Sequence, residues 1–478
     1  MNGANSRFDF RAPVPTLDEL GRVHFIAIGG AGMSGVARVM LARGCAVSGS
    51  DAKDSPVMAA LAAEGADVHV GHDPAHLEGV DTVVISSAIR EGNVELAAAR
   101  ERGLRVLHRS QALASTMASS RRVAVAGANG KTTTTSMLTV ALQHCGADPS
   151  FAAGGELAKH GTNAHWGTGE VFVAEADESD GSFLVYRPEV AVVTNVQPDH
   201  LDFYGTFENV KAAYAEFAGS VQAGGLLVAC HDDPGSLALA EGARMAGLRV
   251  LTYGGAPGAD VVLGEPVTHG LRGTVPLRDA GGRSWDLRVN IPGRHNLLNA
   301  AAAFTAATQG LGQDPASVLE GLFSFTGTRR RFEPKGTAAG VSVVDDYAHN
   351  PGKVAAVVET AAELVGDGRL IVVFQPHLYS RTRDFAKEFA AALAPADSVV
   401  LMEVYGARED PIPGVSSELI AEELRALRPG ADIEVVSSWS AVAGEAAGRA
   451  RPGDLVMTVG AGDVTMLGPE ILRSLEGA

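Results

Sequence analysis

The chain has 478 residues, 46% hydrophobic and 20% charged, the composition of a soluble globular protein with room for two to four domains. A net charge of −17 and an aromatic content of only 5% weigh against duplex nucleic acid and anionic membranes, which want a basic surface, and against single strands, whose bases stack on aromatics. Three scattered cysteines, Cys45, Cys145 and Cys230, form no C-x-x-C pair, which excludes a disulfide framework or zinc ribbon and fits a reducing, cytoplasmic setting.

The N-terminal stretch "MNGANSRFDFRAPVPTLDEL" has no apolar core of signal-peptide length, and no long apolar run occurs elsewhere, so neither a leader nor a membrane span is expected. From Val23 the pattern alternates strand and helix, the mark of an α/β protein. "VHFIAIGG" reads as a buried strand and "SGVARVMLARG" as its helix, with Gly44 as the stop. Between them "GGAGMSG" meets the G-x-G-x-x-G spacing at Gly30, Gly32 and Gly35, and Asp51 closes the next strand where an acidic ribose contact belongs. That spacing alone suits NAD, a nucleotide sugar or a tight strand–helix turn. "TVVISSAI" is a further strand of this first unit.

A second unit opens at "VAVAGANGKTTTTSML". An apolar strand runs into Gly127, followed by Gly130, Lys131 and a row of threonines heading a helix. This is the grammar of a phosphate loop, although the residue five before Gly130 is Val125 rather than the usual glycine. Backbone N–H groups and the helix dipole favour phosphate there, Lys131 reaches the terminal phosphates, and Thr132 or Thr133 faces Mg²⁺. "VFVAEADESD" brings Glu175, Asp177, Glu178 and Asp180 to a strand end, oxygen donors of the kind Mg²⁺ needs. "VTNVQPDH" brings Asp199 and His200 to the next. A lone histidine is more often a packing or capping residue, but three strand ends carrying lysine–threonine, carboxylate and Asp–His in succession are hard to explain as packing. The third unit has strands at "VSVVDDYAH", "RLIVVFQPH", "DSVVLMEVY" and "DLVMTVGAG".

The motifs "GGAGMSG", "GKTTT", "EADESD", "TNVQPDHLD", "GRHNLLNAAAA", "RRRFE", "DDYAHNP", "FQPHLYSRTRD" and "VGAGD" follow one another across nearly the whole chain. In that order they resemble the Mur ligase family, whose phosphate loop has the shortened form G-x-x-G-K-T met by "GANGKT". The resemblance implies three α/β domains: a Rossmann-like UDP-sugar domain (1–120), a central P-loop ATPase-type domain (121–328) and a Rossmann-like amino-acid domain (329–478). It implies ATP-dependent ligation of L-alanine to UDP-N-acetylmuramate through an acyl phosphate, with Mg²⁺. The products would be UDP-N-acetylmuramoyl-L-alanine, ADP and phosphate, in the first amino-acid addition of peptidoglycan precursor synthesis, by a monomer or homodimer. The alternatives are the member that recycles an intact tripeptide onto the same sugar nucleotide and, from a different class, an NAD-dependent dehydrogenase.

The roles implied are specific. Gly127, Ala128, Asn129, Gly130, Lys131, Thr132 and Thr133 cradle the phosphates, Asn296 and Asn299 serve adenine, and Arg331 and Asp346 reach phosphates and ribose. Thr132, Glu175 and His200 bind metal; Lys131, Glu175, His200 and Arg331 form the catalytic set. The sugar nucleotide takes Gly30, Ala31, Gly32, Met33, Ser34, Asp51, Ser86 and Ser87. Tyr347, His349, His377 and Arg381 line the amino-acid site, where Arg381 can fork onto a carboxylate. Two positions depart from the family pattern: Ala128-Asn129 replaces a common Thr-His, and Leu378 stands where arginine is frequent. Lys131 and Glu175 are both expected to be exposed in a cleft.

Overall fold

The computed structural model describes residues 7–157, 161–269, 272–407 and 409–477. The chain divides into two compact units, one of Met1–Pro266, Thr274–Val289 and Leu297–Phe325, the other of Val267–Gly273, Asn290–Asn296 and Thr326–Ala478. The fold is α/β with three sheets, as the sequence pattern leads one to expect.

The first unit holds two sheets. In the N-terminal sheet, β1 (Val23–Ile26), β2 (Val47–Asp51), β3 (Asp67–Val70), β4 (Thr82–Ile85) and β5 (Arg105–His108) pair in parallel, in the order β3-β2-β1-β4-β5. β1 and β4 are buried along their whole length, the signature of strands covered on both faces. Gly49 on β2 is glycine because Ile28 fills its place: a Cβ there would lie 2.5 Å from Ile28 Cδ1. On one side of this sheet sits a buried carboxylate, Glu95. It accepts Ser50 Oγ at 2.6 Å, His76 Nδ1 at 2.8 Å and His72 Nδ1 at 3.0 Å, with His24 Nε2 at 3.7 Å. Burial works against the charged form, but the nearby His24 ring and hydrogen bonds from Ser50 and His76 outweigh it and hold the carboxyl at about 2.

The second sheet is built round β6 (Arg121–Ala126). It continues through β7 (Ser150–Leu157), β8 (Thr162–His165), β9 (Val171–Glu175), β10 (Val190–Val193), β11 (Leu226–Cys230), β12 (Arg249–Gly254) and β13 (Val261–Leu263). β6 pairs in parallel with β9 on one side and β10 on the other. The chain thus leaves β6 at a point where the strand order splits, the place where doubly wound sheets bind ligands. The helix after it, Lys131–His144, is rich in threonine, a poor helix former. Tertiary packing holds it: Thr132–Thr135 are buried, and a Cβ on Gly321 would come within 2.7 Å of Ala141 Cα, so a second helix crosses it backbone to backbone.

The second unit carries a six-stranded sheet in the order Glu333–Ala338, Val341–Asp346, Leu455–Val459, Leu370–Phe374, Ser398–Met402 and Asp432–Val436. Only the first pair is antiparallel. Val459 is in register with both Asp346 and Phe374, so the segments after those three strands emerge side by side.

Candidate active site

The loop after β6 admits little but glycine where it turns. Gly127 has φ +136°, and a Cβ on it would lie 2.0 Å from Thr194 Oγ1; Gly130, capping the helix, has φ +85° and would meet Asn299 Oδ1 at 2.5 Å. Asn129 is bolted into this loop. Its N–H donates to Asn195 Oδ1 at 2.9 Å, its side-chain Nδ2 to Gln197 Oε1 at 3.0 Å, and its carbonyl accepts Asn195 Nδ2 at 3.0 Å. One of the expected phosphate-binding amides is therefore occupied, and the Asn129 side chain braces the segment after β10. Ala128 and Thr133 are buried.

Lys131 is not exposed as expected. Its side chain is 13% accessible, and its ammonium donates to Gly127 O and to Glu178 Oε1, both at 2.7 Å. Burial disfavours its charge, but Glu178, Asp177 and Glu175 outweigh that and raise its pKa. Glu178 is 3% accessible; burial pushes its carboxyl up against the pull of Lys131. Its Oε2 has no hydrogen-bond partner among the described residues. His200 Nε2 stands 3.8 Å from Glu178 Oε1. His200 adopts φ +53°, a sparsely populated conformation for a non-glycine residue and one that clusters at functional sites.

Sequence reasoning gave the metal to Thr132, Glu175 and His200. Thr132 Oγ1 donates to Glu175 Oε1 at 3.0 Å, and Glu175 Oε2 accepts Gly154 N–H at 2.5 Å. The carboxylate beside both Lys131 and His200 is Glu178. It was visible as one of four acids at the end of β9 and just after it, but nothing in their spacing says which one the turn delivers to the lysine. The cradle, the hard oxygen donors and the unpartnered Glu178 oxygen suit an octahedral cation shared with phosphates. Among the described residues no group of three or more His, Cys, Asp or Glu could hold a metal alone.

In the N-terminal sheet, Gly30 caps the helix Ala31–Ala42. Met33 and Ser34 turn inward, and Ser34 Oγ donates to Ala31 O at 3.2 Å, leaving the backbone of the turn as the accessible surface. Asp51 Oδ2 accepts Gly29 N–H at 3.0 Å and so fixes the turn. Ser86 is half-buried after β4. Ser87 Oγ donates to Asp180 and lies 3.2 Å from His108 Nε2. The same ring nitrogen faces both serine and aspartate, so the three do not form a nucleophile–base–orienter relay, which needs opposite nitrogens.

In the second unit, Arg330 and Arg331 stack on Tyr347, with guanidinium carbons 4.7 and 5.3 Å from the ring centre. Arg330 also donates to the Gly460 and Gly462 carbonyls and ties this segment to the sheet. Asp346 accepts Phe332 N–H and Ala348 N–H, each at 2.8 Å, so both its oxygens brace the backbone. His349 and His377 meet edge to face at 5.7 Å, and Arg381 Nη1 donates to His349 O at 3.3 Å, 3.5 Å from His377 Nδ1. Burial holds the His349 ring well below its ordinary pKa, so it is neutral. Leu378 takes φ +72° between His377 and the helix bearing Arg381. Asn296 Nδ2 donates to Pro292 O at 2.6 Å; Asn296 and Asn299 lie on the helix Arg294–Thr305 and are both buried.

This arrangement has counterparts. Residues 22–121 match the profile described as Mur ligase family, catalytic domain; residues 125–307 match the Mur ligase middle domain; residues 330–462 match the Mur ligase, glutamate ligase domain. The chain is 55% identical to a UDP-N-acetylmuramate–L-alanine ligase of Saccharopolyspora erythraea, over 96% of this chain and 94% of the relative. It is 56% identical to the ligase of that name from Kineococcus radiotolerans, over 97% and 98%. Among solved structures, the UDP-N-acetylmuramate–alanine ligase of Thermotoga maritima superposes with a TM-score of 0.79 at 28% identity, covering 95% of this chain and 99% of that one.

Proposed function

The chain belongs to the Mur ligase family, and on that premise we propose that it joins L-alanine to UDP-N-acetylmuramate at the expense of ATP, releasing ADP and phosphate. The observation that carries the ATP half is the Lys131 ammonium, held between the Gly127 carbonyl and Glu178 at the head of a helix whose loop tolerates only glycine at its turns. We assign residues 1–120 to the sugar nucleotide, 121–328 to ATP and 329–478 to alanine. The reaction belongs to peptidoglycan precursor synthesis in the cytoplasm. Among the described residues no helix is long and apolar enough to cross a membrane.

A carboxylate does not acylate an amine unaided. Its oxygen attacks the γ-phosphorus of ATP, ADP leaves, and an acyl phosphate forms; the alanine amine then displaces phosphate to give the amide. Phosphoryl transfer demands position and neutralisation of charge. Lys131 supplies a cation whose charge the surrounding acids secure, and the loop amides supply oriented donors. Thr132, Glu175 and His200, with Glu178 beside them, would hold Mg²⁺, which when bound neutralises charge on the phosphates. Arg381 pairs with the alanine carboxylate, and Tyr347 and His377 limit the side chain.

The test is a panel of amines assayed by amide product with ATP, Mg²⁺ and UDP-N-acetylmuramate. L-Alanine should be best. Glycine, one methyl smaller, should lose only about 1 kcal/mol of transition-state binding, and ethylamine, lacking the carboxylate, far more. Preference for an intact tripeptide, or ethylamine matching glycine, would overturn this reading.

A further inference from the structure

The acidic turn after β9 faces two ways. Glu178 serves Lys131, whereas Asp177 Oδ2 accepts Arg109 Nη2 at 2.7 Å from the N-terminal sheet. Arg109 begins the helix that follows β5. Its guanidinium also lies over the glycine turn after β1: a Cβ on Gly32 would stand 3.2 Å from Arg109 Nη1 and 3.5 Å from its Cδ and Cζ. The first turn of the helix Ala31–Ala42 contains no acidic residue. A cation is therefore placed at the positive end of a helix dipole, an arrangement that repels unless an anion joins it. Asp177 supplies an anion on one edge of the guanidinium; the edge bearing Nη1 faces the turn. Ser87 and His108, both on Asp180, hold the same two segments together.

We propose that Arg109 bridges the diphosphate of the sugar nucleotide and Asp177, and that this bridge couples occupancy of the glycine turn to the ATP loop through the adjoining Glu178–Lys131 pair. The proposal rests on the reading of the N-terminal sheet as the sugar-nucleotide domain. A guanidinium suits the task because its planar fork can hold a carboxylate along one edge and a phosphate along another, which a lysine cannot. Linkage requires the coupling to be reciprocal: the sugar nucleotide and ATP change each other's affinity by the same factor.

The experiment is calorimetry on the full chain with UDP, uridine, UDP-N-acetylmuramate and a non-hydrolysable ATP analogue, uridine being measured by competition. Arg109→Ala should weaken UDP by about 10- to 100-fold, the range for losing a charge-assisted bond, while leaving uridine unchanged. Arg109→Lys should recover part of the UDP preference. Asp177→Asn should keep that preference but reduce the factor by which UDP-N-acetylmuramate changes affinity for the ATP analogue. An undiminished UDP preference in Arg109→Ala, an equal loss of UDP and uridine, or an unchanged coupling factor in Asp177→Asn would each overturn the proposal. Failure of the unmutated chain to bind either UDP or UDP-N-acetylmuramate would instead overturn the underlying reading of the domain.

Discussion

The chain builds a strand, a glycine turn and a helix twice for anionic ligands, and the two differ in where the positive charge comes from. The turn after β6 carries its own lysine, pinned inside the fold by Glu178. The turn after β1 carries none and lies under Arg109, from a helix some seventy-five residues on. The glycines differ as well. Gly127 and Gly130 hold positive φ and would collide with Thr194 and Asn299 if substituted. Gly30 has φ −65°, and a Cβ on it would lie no closer than 3.4 Å to its nearest neighbour, Ala27 O. One turn is conformationally locked and the other permissive, which fits the proposed reading of a reacting phosphate at the first and an unreactive diphosphate at the second.

Lys131→Ala should show that difference most strongly, with turnover falling at least ~10²-fold, as when a preorganised charge is lost. The variant should also lose stability, because Glu178 would be left buried without its cation. Adding Glu178→Gln to the same chain should restore the melting temperature but not turnover. Steady-state kinetics and thermal unfolding on both variants separate the two effects, and recovery of turnover in the double variant would break the assignment. Next in size is Arg381→Ala, outside both turns. It should raise the alanine KM by about 10- to 100-fold, the worth of a bond to a charged group, and leave ATP-analogue binding unchanged.

The glycines give a smaller, sharper contrast in denaturant unfolding. Gly130→Ala should cost about 1–3 kcal/mol from backbone strain, whereas Gly30→Ala should cost no more than about 1 kcal/mol as a cap substitution. Equal costs would erase the distinction between a locked turn and a permissive one. A separate effect is expected from Glu95→Gln, about 1.5–3 kcal/mol at neutral pH, the worth of a hydrogen bond to a charged group, from the weakened bonds in the N-terminal sheet. Because the folded carboxyl sits at about 2, below its ordinary 4.5, its contribution is present above 4.5 and is lost as pH falls from there toward 2. The gap between parent and variant should narrow over that interval, which melting curves across pH would record.

The three-sheet α/β architecture and the phosphate loop were legible because apolar runs ending in glycine carry their own local signal. So was the acidic strand end after β9. The partner of Lys131 was not, since Glu175 is the last residue of a strand and Glu178 lies in a turn whose path spacing does not encode. Arg109 was passed over because a single arginine opening a helix says nothing of the turn it will cover. Glu95 and its three histidines come from four separate segments that only the folded sheet brings together. Asp346 was read for a ribose from its place at a strand end; that its oxygens also accept the Phe332 and Ala348 N–H groups is a backbone role the sequence does not spell out.

The most direct test of the central claim is the stoichiometry of one reaction mixture holding ATP, Mg²⁺, UDP-N-acetylmuramate and L-alanine. ADP, phosphate and UDP-N-acetylmuramoyl-L-alanine should appear in equal amounts, with no amide when any one substrate is withheld. AMP and diphosphate as products, or ATP consumption without amide, would contradict ligation through an acyl phosphate.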